Sequence, residues 1–195
     1  MDDGAPTSTD RFAPRPPYRF EDGTALIELR LSSIHQLFNS IDPAPFHEKD
    51  LDPDAEDYII GAVRELPPHT PVKIVLHLPA AELASEPAQG LEIAVRNYFS
   101  YRLSIAGRDL RLLLRQGRIS LVIGLAFLAA CMTARSMLQA AGGWRALLAE
   151  GLLIMGWVAM WRPIQVFLYD WWPIWGTCRI LRRLAAAKVD IRPQS

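Results

Sequence analysis

The chain has 195 residues, with 21 Lys and Arg, 21 Asp and Glu, and a formal net charge of zero. Residues 1–95 carry seven basic and seventeen acidic side chains (net −10), whereas residues 96–195 carry fourteen and four (net +10). The basic side chains of the second half flank the longest apolar runs, so we expect a lipid bilayer as partner and no nucleic acid. Two cysteines, Cys131 and Cys178, do not make a disulfide framework or a zinc site, and we predict no cofactor.

The beginning of the chain predicts a tail followed by a small domain. Residues 1–22 are rich in Pro, Ser, Thr and Asp and lack the apolar core of a signal peptide, so we predict a flexible tail. In "TALIELRL" (24–31) and again in "PVKIVLHLP" (71–79), apolar residues alternate with polar ones, as in half-buried strands. These two strands and the helix between them predict a βαβ-type domain over 23–90, whose two-stranded sheet needs cover from elsewhere.

The helix between the two strands is predicted from "DLDPDAEDYIIGAVREL". Asp52 suits the N-cap and Pro53 the first helical position, where a missing N–H costs nothing. Pro67-Pro68 ends the helix, because proline has no backbone donor.

The acidic start of this helix has an alternative interpretation as a Mg²⁺ or Ca²⁺ site. Asp50, Asp52 and Asp54 stand at alternate positions, as at the start of an EF-hand loop. Ala55 and Gly61 occupy the positions where that loop needs Gly and a bidentate Glu. Carboxylates are also favoured at a helix N-terminus by the helix dipole, so we interpret the cluster as capping.

A long basic helix is predicted over 91–118, followed by two transmembrane helices over 119–141 and 146–168. The basic stripe recurs at steps of three, four and three residues on one helix face, and consists of Arg108, Arg111, Arg115 and Arg118. Arginines directly before a span attract anionic headgroups. Gly142-Gly143 is predicted to form the turn between the spans.

The second apolar run is interrupted by Arg162-Pro163, in "MWRPIQVFLYDWW" (160–172). We predict a kink at Pro163, and Arg162 either reaches a lipid phosphate or pairs with Asp170, about two helical turns further on. A cytosolic interfacial segment is predicted over 169–195. It includes an interfacial aromatic belt of Trp171, Trp172 and Trp175.

The distribution of basic residues predicts the orientation of the hairpin. Five arginines precede the first span and four basic residues follow the second, whereas the connecting turn has only Arg135 and Arg145. The positive-inside rule therefore places both termini in the cytoplasm. The predicted fold class is an α+β membrane protein with a small βαβ-type cytosolic domain, a long amphipathic helix and a two-helix transmembrane hairpin.

Three stretches together resemble a family of small bacterial inner-membrane proteins without an assigned activity. They are "LFNSIDPAPFHEKDLDPDAEDYI" (37–59), "AVRNYFSYR" (94–102) and "WRPIQVFLYDWWPIW" (161–175). The resemblance covers most of the chain after residue 24. It implies the same topology and location, and it carries over no catalytic residue.

Three functions remain as hypotheses, and because no catalytic constellation is visible in the sequence, we predict that the protein is not an enzyme. The first hypothesis is a membrane-anchored interaction or scaffold protein, which forms a homo-oligomer or joins other subunits of a membrane complex. The second is a pore or transport subunit, in which oligomerised hairpins line a path with Arg135, Glu150, Arg162 and Asp170. The third is an enzyme that uses the acidic loop of residues 47–57 with a metal.

Overall fold

A computed structural model describes residues 18–39, 45, 49–83, 85–139 and 143–194. The described residues form two compact units. The first, which we call the sheet unit, contains residues up to Phe99 and from Arg183 onward. The second, which we call the hairpin unit, contains Ser100–Arg182.

The sheet unit is built on a four-stranded sheet in the order β1-β2-β3-β4. The strands are β1 (Arg19–Glu21), β2 (Thr24–Arg30), β3 (Val72–Leu78) and β4 (Lys188–Pro193). β1 is antiparallel to β2, whereas β2, β3 and β4 are parallel neighbours. The two strands predicted from alternation are therefore confirmed as β2 and β3, but the sheet has twice the predicted number of strands.

The two additional strands correct the predicted boundaries. Arg19–Glu21 belong to the sheet rather than to the predicted flexible tail 1–22, of which residues 1–17 lie outside the described residues. Lys188–Pro193 pair with β3 and so do not belong to an interfacial segment 169–195. Both strands escaped prediction because alternation over a three-residue strand or a strand with three charged residues is a weak signal. Pairing with β2 across the Asp22-Gly23 turn stabilises β1, and pairing with the distant β3 stabilises β4.

The predicted helix between β2 and β3 is confirmed as α1 (Pro53–Glu65). The Asp52 side chain caps it, because its Oδ1 accepts a hydrogen bond from the backbone N–H of Asp54 at 3.0 Å. After β3 comes a single helical turn, α2 (Ala80–Leu83).

Alternation along the strands gives the sheet one apolar face and one face that carries its charged side chains together with the buried Leu26 and Val75. The apolar face is fully buried at Ile27, Ile74 and Leu76. Equally buried side chains come from α1 (Ile59 and Val63) and from the first part of the long helix that follows α2 (Leu91 and Phe99). These residues form the core of the sheet unit.

A single helix, α3 (Glu86–Gln139), replaces the two segments predicted as a basic helix over 91–118 and a span over 119–141. It begins five residues earlier than predicted and continues without interruption through Gly117. The helix contains no proline beyond Pro87, so nothing in the sequence forces a break between its basic and apolar parts.

The second predicted span, 146–168, is not one helix: it covers most of α4 (Trp144–Ala159), all of α5 (Trp161–Gln165) and the start of a π-helical turn (Val166–Asp170). The helix α6 (Trp171–Ala185) follows, and we call these four pieces together the returning limb. Gly143, with φ of 65°, precedes α4. The predicted kink at Pro163 takes the form of an interruption at Met160, because Pro163 has no N–H to bond the carbonyl of Ala159.

Two helical stretches are long and apolar enough to cross a membrane, Gly90–Leu138 and Trp144–Ala185. In their most apolar windows only 11% and 17% of the residues are buried. Such low burial is unlike that of a helix in the core of a soluble protein.

Small residues allow α3 and the returning limb to pack closely within the hairpin unit. A Cβ on Gly124 would lie 3.1 Å from the Ala159 carbonyl oxygen, and one on Gly156 would lie 2.7 Å from Leu128 Cδ1. The buried small residues recur every seven positions on both sides of the contact. They are Gly117, Gly124 and Cys131 on α3, and Ala149, Gly156 and Pro163 on the returning limb. A seven-residue repeat of small side chains is typical of closely packed helices in membranes.

Candidate functional site

The residues predicted to lie at a membrane interface gather at one end of the hairpin unit. Gly117 meets Val166, whereas Gly156 meets Leu128 and Cys131, so α3 and the returning limb run antiparallel. The basic stripe on α3 and the tryptophans that follow Asp170 therefore lie at the same end. We call this end, with the stripe, Arg162, Asp170 and the tryptophans, the charged end of the hairpin.

Arg162 and Asp170 form an ion pair, as one of the two sequence alternatives predicted. The distance from Arg162 Nη1 to Asp170 Oδ2 is 3.3 Å, and 57% and 26% of the two side chains are exposed. In a regular α-helix, residues eight apart differ by about 12 Å in height and about 80° in direction. The π-helical turn between them holds more residues per turn, which reduces this angle and brings the two side chains together.

The three predicted tryptophans form a cluster on the first turns of α6. The ring of Trp171 lies 5.2 Å from that of Trp172 and 6.2 Å from that of Trp175, measured between centroids. Trp171 Nε1 donates a hydrogen bond to the Phe167 carbonyl oxygen at 2.8 Å, and the Arg179 guanidinium lies 5.0 Å above the Trp175 ring. The cluster thus combines apolar rings with polar groups, as interfacial tryptophans do.

The four arginines of the basic stripe are all exposed on α3. Arg108 Nε donates to the Ser104 carbonyl oxygen at 3.4 Å, and Arg111 Nε donates to that of Gly107 at 3.1 Å. Both bonds involve carbonyl oxygens of the same helix, so these arginines keep their charge at the surface of α3. The stripe is therefore able to bind anionic groups, which are the ligands that arginine suits best.

A second group of charges, which sequence reasoning did not single out, covers the other face of the sheet. The strand register places Arg19, Glu21, Glu28, Arg30, Lys73, His77, Lys188, Asp190 and Arg192 on that face. Arg192 donates to both carboxylate oxygens of Glu21 at 2.9 and 2.8 Å, and Lys73 Nζ lies 3.0 Å from Asp190 Oδ2. We call this group the charged sheet face. Its signal in the sequence was the alternation within "VKIVLHL" and "KVDIR".

The contacts of the charged sheet face stabilise the ionised carboxylates. Hydrogen bonds from Arg192 hold the pKa of Glu21 below its ordinary value. A hydrogen bond from Lys73, with a smaller contribution from Arg192, lowers the pKa of Asp190, although partial burial acts in the opposite direction. Both acids are therefore charged at neutral pH.

The described part of the acidic segment before α1 contains the predicted helix cap. Asp52 accepts from the Asp54 N–H, as a helix cap does. Among the described residues no group of three His, Cys, Asp or Glu side chains is placed to hold a metal ion, and His47 lies outside them. Cys131 and Cys178 are buried free thiols.

Sequence reasoning also missed the seven-residue repeat of small residues and the π-helical turn. The repeat could have been found from the spacing of Gly117, Gly124 and Cys131 alone. The π-helical turn has no comparable sequence signal. Comparison of the chain with known protein families, curated proteins and solved structures found no match.

Proposed function

We propose that the protein is a membrane-anchored interaction or scaffold protein of a bacterial inner membrane. The observation that carries this proposal is the exposure of the hairpin's apolar surface, since only 11% and 17% of the residues in the two apolar windows are buried. An exposed apolar surface of this extent needs a bilayer or a partner to cover it. Helices satisfy their own backbone hydrogen bonds and can therefore lie in lipid.

The charged end of the hairpin supports an orientation with both termini in the cytoplasm. Its arginines match the basic band on the cytoplasmic side of spans, and its tryptophans match the aromatic belts found at both membrane interfaces.

The interaction role is supported by the charged sheet face. Its ion-paired side chains stay partly exposed, from 26% for Lys73 to 81% for Arg19. Surface ion pairs add little stability, so their arrangement serves recognition better than folding. A fixed pattern of both charge signs selects a partner, or a second copy, with the complementary pattern.

One specific observation favours the pore or transport hypothesis. Arg135 Nε is buried in the hairpin unit and has no hydrogen-bond partner within the described part of the chain. Buried ionisable groups at membrane depth often mark ion paths. One hairpin cannot enclose such a path, so this function needs several copies.

Three measurements on the full chain test the proposal. First, the protein should stay in the membrane pellet after extraction with alkaline carbonate; release into the soluble fraction would refute membrane anchoring. Second, native mass spectrometry in detergent should show a homo-oligomer or a defined complex. Proteoliposomes that contain the protein should remain tight to small ions, since ion flux would favour the pore.

The charged sheet face provides a matched pair of variants for the second measurement. Arg30→Glu reverses a charge on this face, whereas Arg64→Glu reverses an exposed charge on α1. We expect Arg30→Glu to shift the assembly toward monomer and Arg64→Glu to leave it unchanged. Equal effects of the two variants would show that the charged sheet face does not mediate assembly.

A further inference from the structure

A shallow apolar groove lies on the exposed face of the returning limb and reaches Trp161, the residue before Arg162. It has a volume of about 350 Å³ and is lined by Leu153, Ile154, Trp157, Val158 and Trp161. Four of these side chains are largely exposed. The lining residues span about 12 Å of helix, which is long enough for much of one lipid acyl chain.

A pair of opposite charges marks one end of this groove. Arg162 follows Trp161 directly and comes four residues after Val158, and Met160 between them keeps helical backbone angles. Val158 and Arg162 therefore lie on neighbouring turns of the same side. Asp170 Oδ2 contacts Arg162 through Nη1 alone, at 3.3 Å, so both groups keep hydrogen-bonding capacity.

We propose that this groove and its ion pair bind a phospholipid whose headgroup carries a primary ammonium. The acyl chain lies along Trp157 and Trp161, the phosphate accepts from Arg162, and the ammonium donates to Asp170. The charges complement each other, because an adjacent guanidinium and carboxylate match the adjacent phosphate and ammonium of such a headgroup. The inference rests on the proposed function, since it requires the hairpin to lie in a bilayer.

The experiment uses the full chain in detergent and native mass spectrometry with three phospholipids of identical acyl chains. Their headgroups are ethanolamine, choline and glycerol. We expect the wild type to retain the ethanolamine lipid about tenfold better than the other two. Choline carries no N–H for Asp170, and glycerol carries no positive charge. Equal retention of the ethanolamine and glycerol lipids would overturn the proposal and leave only phosphate binding.

Charge variants separate the two halves of the headgroup site. Asp170→Asn should abolish the preference for the ethanolamine lipid while retaining phosphate binding. Arg162→Gln should weaken all three lipids. A lipid preference that survives Asp170→Asn in a protein with unchanged helix content would refute the role of Asp170, and Asp170→Glu should restore the preference if the carboxylate is what matters.

A size variant tests the groove itself. Ile154→Trp fills the groove and should reduce lipid retention, whereas Val122→Trp enlarges an equally exposed residue on α3 outside it and should not. If Ile154→Trp instead dissociates an oligomer that carries no lipid, the groove is a subunit interface and the proposal is wrong. Carbonate extraction of each variant distinguishes the outcomes: loss from the membrane contradicts the proposed function, whereas retention without lipid preference contradicts only this site.

Discussion

At the scale of single residues, Arg192 is the side chain that joins most of the charged sheet face. It contacts Glu21 with two hydrogen bonds and also donates to Asp190 from Nε at 3.2 Å. Because β1 and β4 are the outer strands of the sheet, this one guanidinium connects both edges. The connection depends on ionised carboxylates and therefore on pH.

The lowered pKa values of Glu21 and Asp190 predict a loss of stability in acid. A carboxyl whose pKa is depressed by folding stabilises the protein above its unfolded pKa, and this contribution disappears as the pH falls through the folded pKa. We therefore expect the difference in urea midpoint between wild type and Arg192→Gln to shrink between about pH 5 and pH 3. Arg30→Gln removes the same charge from the same face and serves as control. A difference that is as large at pH 3 as at pH 7 would contradict the prediction.

Asp52 carries a second residue-scale prediction. Asp52→Ala removes the side chain that accepts from the Asp54 N–H and should lower the free energy of unfolding by about 1 kcal/mol. Asp57→Ala, an exposed change on the same helix, should stay within about 0.5 kcal/mol of wild type. Chemical unfolding followed by circular dichroism measures both. If Ca²⁺ or Mg²⁺ raises the midpoint of wild type but not of Asp52→Ala, the acidic segment binds metal as well.

At the scale of the elements, the packing of α3 against the returning limb depends on a close approach of the two backbones. Gly124 faces the Ala159 carbonyl, the same carbonyl that Pro163 leaves without an intrahelical donor. A side chain at residue 124 would separate the two helices at the level where the returning limb is interrupted. Gly124 and Pro163 thus act at the same contact: the proline frees the Ala159 carbonyl, and the glycine leaves room for it.

Gly124→Ala should destabilise the hairpin although alanine is the better helix former. Its Cβ would lie 3.1 Å from the Ala159 carbonyl oxygen, and a backbone atom can move less easily than a side chain. Gly151→Ala gains the same helix propensity and meets nothing within 4 Å, so it is the matched control. We expect Gly124→Ala to lower the SDS unfolding midpoint, at a cost of about 1–3 kcal/mol, and Gly151→Ala to raise it or leave it unchanged. The reverse order would mean that the helices do not pack through Gly124.

Some elements could be predicted from the sequence and others could not, because only some of them are specified by residues close together in the chain. β2, β3 and α1 were predicted because their signals are local. Alternation marks the two strands, and Asp52 and Pro67 mark the ends of the helix. β4 exists through pairing with β3, far back along the chain, which no local pattern reports. β1 instead pairs with its neighbour β2 across the two-residue turn Asp22-Gly23, a local hairpin signal that the sequence analysis did not use. At the candidate site, the ion pair of Arg162 with Asp170 followed from spacing, whereas the charged sheet face required knowledge of the strand register.

At the scale of the whole molecule, the proposed orientation predicts the location of two points on the chain. A reporter fused after Ser195 should be active in the cytoplasm, and one inserted at Gly142-Gly143 should be active in the periplasm, because basic residues are retained on the cytoplasmic side. A variant with Arg108, Arg111, Arg115 and Arg118 all changed to Gln should report a mixed orientation. A periplasmic signal from the C-terminal fusion of the wild type would contradict the hairpin topology.

The position of β4 also has a consequence for how the protein is made. β2 and β3 leave the ribosome before the hairpin, whereas β4 leaves after it, so a nascent chain exposes the unpaired edge of β3 while the hairpin is synthesised. The sheet can close only on a chain whose two long helices have already been synthesised. The fourth strand can therefore be added only after the hairpin has been synthesised. A chain arrested before β4 presents an unpaired strand edge that proteases and chaperones recognise.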